Sequence, residues 1–219
     1  MSCAPAGAVD KIMVFLSGIL SFKQTRMNKT RLEAFSDGVF AIIITIMVLE
    51  IKVPHGTNWE SLRPLAPVFY SYVLSFLFVG IYWGNHHHLL HTVKNVDSGI
   101  IWANLNLLFW LSLIPFGTGW MGENHFAPDT IVVYAIILLL SGVAYTILQL
   151  VIQKRHPDSV PLQLANKKLK SKGIISMCSY AAAIPLAYVS TTISGILFLL
   201  TVLLWLVPEK KIEQAIKAE

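Results

Sequence analysis

Arg31-Leu32-Glu33-Ala34-Phe35-Ser36-Asp37-Gly38-Val39-Phe40-Ala41-Ile42 opens a stretch that runs on to Leu49 and Glu50. Between Gly38 and Leu49 the only hydroxyl is that of Thr45, and no residue is charged. Read as one helix, the stretch carries Asp37 roughly 9 Å deeper than Arg31 at about 1.5 Å per residue. An acid at that depth in an apolar helix is costly unless it is paired or hydrated. Stepping about 100° per residue puts Gly38, Ile42, Thr45, Ile46 and Leu49 on one stripe. Ser36 and Asp37 point away from that stripe by more than about 100°. The helix therefore has two tasks: an apolar face with one hydroxyl, and a polar face that must meet protein.

The rest of the chain agrees with a membrane setting. Of 219 residues, 55% are hydrophobic and 13% charged, and the mean hydropathy is +0.62. Soluble domains carry roughly a quarter charged residues. The deficit excludes a soluble enzyme, a disordered tail and a free nucleic-acid binder. The net charge of +5 and pI of about 9.2 come from bases beside apolar runs. Membrane orientation and anionic headgroups explain such bases, so membrane lipids are expected partners and nucleic acid is not. Cys3 and Cys178 lie far apart without a metal-like partner, so no disulfide framework or zinc site is expected.

Six apolar segments fall at about 31–52, 66–90, 98–121, 130–152, 172–190 and 192–207, which predicts an all-α polytopic membrane protein. Lys23, Arg26, Lys29 and Arg31 precede the first segment. Lys154, Arg155, Lys167, Lys168, Lys170 and Lys172 face only Asp158 between the fourth and fifth. Glu123 and Asp129 lie between the third and fourth without a base. Positive-inside logic puts both termini and the 154–172 loop in the cytoplasm of a multi-pass cell-membrane protein. Residues 1–26 read as an extension, either dispensable or an interfacial helix; 27–208 form the membrane domain and 209–219 a cytoplasmic tail. The sequence shows no internal repeat, which weakens a transporter built from inverted halves.

Polar groups elsewhere sit at the depth of Asp37. The second segment ends Trp83-Gly84-Asn85-His86-His87-His88, and Asn106 lies roughly 12 Å into the third. Arg31, Ser36, Asp37, His86 and Asn106 can share one level, as a packing network or as a proton or ion relay. His87 and His91 have i,i+4 spacing, yet no third ligand is placed, so no metal is expected. Trp59, Trp102, Trp110, Trp120 and Trp205 read as interface anchors, and Pro115 and Pro185 as kinks. No catalytic motif is present, and Phe116-Gly117-Thr118-Gly119 only faintly echoes a TVGYG filter.

The Arg31-x-x-x-Phe35-Ser36-Asp37 sequence at the start of a first span resembles the signature of the transmembrane protein 175 family, the lysosomal potassium channels, and specifically its prokaryotic members. Trp83-x-x-His86, Asn106 and Pro115-Phe116 add to the resemblance, which covers about residues 28–207. It implies a potassium-permeable channel with six spans per subunit, assembled as a homotetramer around the first helix. It also implies Ile42 as the tightest apolar ring, Thr45 as a hydroxyl layer and Leu49 as a second ring, with Ile46 beside them. A structural network behind the pore would comprise Arg31, Phe35, Ser36, Asp37, Trp83, His86 and Asn106. No cofactor is implied beyond the permeant K+. From pattern alone the stripe reads equally as a helix-packing seam. A secondary transporter or proton-coupled carrier, and a scaffold without transport, are the competing functions.

Overall fold

The computed structural model describes residues 28–155 and 160–206. Its elements are helices: α1 (Lys29–Leu49), a short 3-10 helix (Trp59–Leu65), α2 (Ala66–His91), α3 (Ser98–Ser112), α4 (Ile114–Glu123), α5 (Pro128–Arg155), α6 (Val160–Ala187) and α7 (Thr191–Leu206). Helices occupy all six apolar stretches. Among the described residues, four helical segments are long and apolar enough to cross a membrane: Lys29–Leu49, Trp59–His91, Ser98–Glu123 and Pro128–Arg155. The extension 1–26 and the tail 209–219 lie outside the described residues.

Local chemistry sets the helix ends. Asn28 caps α1 through the Thr30 amide, and Asp97 caps α3 through the Ile100 amide at 2.9 Å. The third apolar stretch is split at Leu113, two residues before Pro115, whose ring nitrogen has no proton to continue the ladder. Pro185 behaves differently: it sits two residues from the end of α6 and the helix runs through it. The α6 helix begins at Val160, well before the apolar run at 172, because the polar approach to the span is itself helical.

Side chains tie the ends together in the antiparallel order that short connections demand. At one end, Lys29 Nζ donates to the His91 carbonyl at 2.8 Å, and Arg155 Nε meets Asp97 Oδ2 at 2.8 Å. At the other end, Lys52 pairs with Glu123, and the Tyr188 hydroxyl donates to Asp129 at 2.8 Å. The Glu123 carboxylate holds the Lys52 ammonium above its ordinary pKa.

The core lies around α5, which packs on α3, α4, α6 and α7. Fully buried Tyr134 accepts or donates a hydrogen bond with Ser75 at 2.8 Å, and Thr118 donates to Ser75 at 2.7 Å. Glycines let α4 approach closely. A Cβ on Gly122 would stand 2.7 Å from Val68 Cα and 2.5 Å from Ser71 Oγ. Phe116-Gly117-Thr118-Gly119 is thus part of a packed helix, with Gly117 against Tyr134.

Gly122→Ala should therefore destabilise the subunit by about 1–3 kcal/mol, the usual cost of forcing atoms into a packed site. Gly173→Ala, whose Cβ meets nothing within 4 Å, should be neutral or mildly stabilising. Melting midpoints in detergent separate the two.

Candidate functional site: the two faces of the first helix

One face of α1 is built into the subunit. Leu32, Ser36, Phe40, Ile43 and Met47 are buried, at the i+3 and i+4 steps of a helical face, and α1 packs on α2, α3 and α4. Ser36 begins a polar chain across three helices. Its hydroxyl donates to the Leu32 carbonyl at 2.9 Å and accepts from Asn104 Nδ2 at 3.0 Å. Asn104 Oδ1 in turn accepts from His86 Nε2 at 2.6 Å, which fixes the imidazole with its proton on that nitrogen. Ser36, His86 and Asn104 are all buried. The Phe40 ring packs 5.3 Å from the His86 ring. Beside this chain, Trp83 Nε1 donates to Asp37 Oδ1 at 2.9 Å, which gives the half-buried acid a partner on α2.

Three sequence expectations change here. Asn104, not Asn106, reaches Ser36 and His86. The two asparagines lie about 200° apart on the helix. Asn104 shares the buried side of α3 with Ile100, Ala103, Leu107, Leu108 and Leu111, whereas Asn106 is only partly covered. The signal is present in that spacing; matching depths alone does not say which way a side chain faces. Arg31 and Phe35 also stand outside the chain, both exposed on the subunit surface. Their spacing to Gly38 and Ile42 puts them on the stripe side of α1 instead. Asp37 meets the Trp83 indole rather than Arg31 or His86.

The other face is bare. Ile42 is 56% exposed, Ile46 42% and Leu49 77%, and Thr45 is exposed beside them. Gly38 stands in open space as well. The Thr45 hydroxyl shares its proton between the Ala41 and Ile42 carbonyls, each at 3.0 Å. With the proton on the helix carbonyls, the oxygen has lone pairs open to accept on the exposed side. Farther along α2, the His87 and His91 rings lie 5.4 Å apart, and among the described residues no three potential ligands gather around a metal position.

Comparison with known proteins bears on this arrangement. The family described as endosomal/lysosomal potassium channel TMEM175 matches residues 31–115, the part that holds both faces and the Asn104 chain. A potassium channel of Chryseobacterium sp. is 50% identical over 191 residues, covering 87% of this chain and 99% of that protein. The endosomal/lysosomal proton channel TMEM175 of Gallus gallus is 39% identical over 101 residues, covering 41% of this chain and 20% of that protein. The crystal structure of a lysosomal potassium-selective channel TMEM175 homologue from Chamaesiphon minutus matches with a TM-score of 0.68. It is 31% identical and covers 81% of this chain and 96% of that one.

Asn104→Ala should lower the melting midpoint and the yield of assembled protein, at a cost of about 1–3 kcal/mol for the stranded groups. Asn106→Ala should stay within about 0.5 kcal/mol of wild type. Equal effects would remove the chain from the forces that hold α1.

Proposed function

This chain belongs to the endosomal/lysosomal potassium channel TMEM175 family, and on that premise we propose that it is a potassium channel whose pore is lined by the bare face of α1. Subunits assemble as a homotetramer and bring the Ile42, Thr45, Ile46 and Leu49 stripes together around an axis. Each subunit crosses the membrane six times, with both termini and the basic 154–172 segment on the cytoplasmic side. The partners are potassium ions, membrane lipids and further copies of the chain; no cofactor is needed, since K+ itself is what the pore handles.

The observation that carries the reading is the acceptor geometry of Thr45 within an otherwise apolar exposed stripe. A ring of Ile42 side chains is an apolar constriction, and such constrictions gate by dewetting. Nearly one turn deeper, Thr45 oxygens with their protons turned away replace part of an ion's water shell. Potassium sheds water more readily than sodium, so a ring of a few neutral oxygens favours it modestly. Asp37 and the Asn104 chain face away from the axis and hold the wall rather than touch the ion.

The test is potassium flux in liposomes holding the purified protein, with sodium substituted in parallel. Passive flux that prefers potassium is expected. Saturable, proton-coupled flux would replace the channel by a carrier, and no flux would leave a scaffold.

Ile42→Asn should raise conductance severalfold, because a polar ring wets an apolar gate. Thr45→Ala should keep conduction but lower the preference for potassium over sodium by about fivefold, equivalent to roughly 1 kcal/mol. Planar-bilayer currents and bi-ionic reversal potentials read both. Unchanged currents in a well-assembled Ile42→Asn protein would take Ile42 out of the pore.

A further inference from the structure

A cavity of about 140 Å3 lies away from α1, at the end of the bundle where α2, α5 and α7 finish. Phe78 and Tyr82 of α2, Tyr145 of α5, Met177 and Tyr180 of α6, and Trp205 of α7 form most of its wall. No residue of α1 lines it, so it is separate from the proposed permeation path.

The polar groups on this wall are largely bonded within the protein already. Asn85 Nδ2 donates to the Ile81 carbonyl at 2.8 Å, and Thr146 donates to the Gly142 carbonyl at 2.9 Å. The Tyr145 hydroxyl donates to the Asn85 carbonyl at 3.2 Å, and Trp205 Nε1 to Ser176 Oγ at 2.8 Å. An ordered water wants about two to four polar partners, whereas an apolar space of roughly this size takes a group as large as benzene. The mouth is different in character. Lys170 is exposed on its rim, and Lys172 Nζ lies 6.0 Å from the centre of the Trp205 ring. Aromatic and basic side chains where an apolar run begins or ends mark the headgroup level of a membrane.

We propose that this cavity is a lipid site, in which part of one acyl chain of an anionic phospholipid, a few methylenes long, enters among Tyr82, Tyr145, Tyr180 and Trp205 and its phosphate meets Lys170. The apolar interior selects the chain and the lysine selects the charge. An occupant there wedges α6 and α7 against α2 and α5. Gly173 helps to keep the space open, since a Cβ at that position meets nothing within 4 Å.

The experiment titrates the purified, assembled protein in detergent with phosphatidylglycerol, with phosphatidylcholine of the same chains, or with inorganic phosphate. Melting midpoint and lipid adducts by native mass spectrometry are read together. Phosphatidylglycerol should raise the midpoint and saturate at about one lipid per subunit, binding about tenfold more tightly than phosphatidylcholine. Gly173→Leu should fill the cavity and abolish the rise. Lys170→Glu should bring phosphatidylglycerol down to the level of phosphatidylcholine, and as an exposed substitution it keeps the test alive if Gly173→Leu fails to assemble. Equal binding of both lipids, an unchanged response in well-assembled Gly173→Leu or in Lys170→Glu, or the same rise with phosphate alone would each overturn the proposal.

Discussion

Asn104 is the residue on which the arrangement of the first three helices turns. In an apolar surround every buried polar group must find a partner inside the protein. One carboxamide meets that demand for two neighbours at once, accepting from His86 and donating to Ser36. The bonds run in a single direction, from imidazole to amide to hydroxyl to the Leu32 carbonyl. A direction of that kind fixes rotation as well as distance. With Ser36 held inward, Ile42, Thr45, Ile46 and Leu49 have no choice but to face out of the subunit.

The division of labour on α1 follows from that constraint. Its buried face carries shape, through Leu32, Phe40, Ile43 and Met47. Its bare face meets nothing within the subunit. An apolar face left uncovered is ordinary for a helix against lipid, so exposure by itself says little. What distinguishes this face is the family to which the chain belongs and the single hydroxyl, Thr45, set among its apolar side chains.

Much of this is legible in the residues. The low charge and long apolar runs set the class, and the 3.6-residue period alone separates the stripe from Ser36 and Asp37. The break near Pro115 is also readable, because proline has no amide proton to donate. Depth along a helix is easier to read than direction around it. Asn104 and Asn106 lie at nearly the same level, and only the phase of the surrounding leucines tells which one is inside. Depth groups Arg31, and the family motif Phe35, with Ser36 and Asp37, although their phase is that of Ile42. The partner of Asp37 is harder to see. An indole nitrogen satisfies a carboxylate without a charge, so a search for an opposite charge finds Arg31 and His86, and Trp83 enters only through the family resemblance.

The back-bonded hydroxyl of Ser36 has a meaning in time as well as in space. As the chain is made, α1 leaves the ribosome before α2 and α3, and the amide that holds it lies 68 residues later. Until then the helix has no α3 beside it. A long polar side chain at position 36 would spend that interval seeking water or a wrong neighbour. A serine waits quietly, because its proton returns to the Leu32 carbonyl of its own helix. When Asn104 arrives, the oxygen of Ser36 is still open to accept, so assembly adds a bond and breaks none.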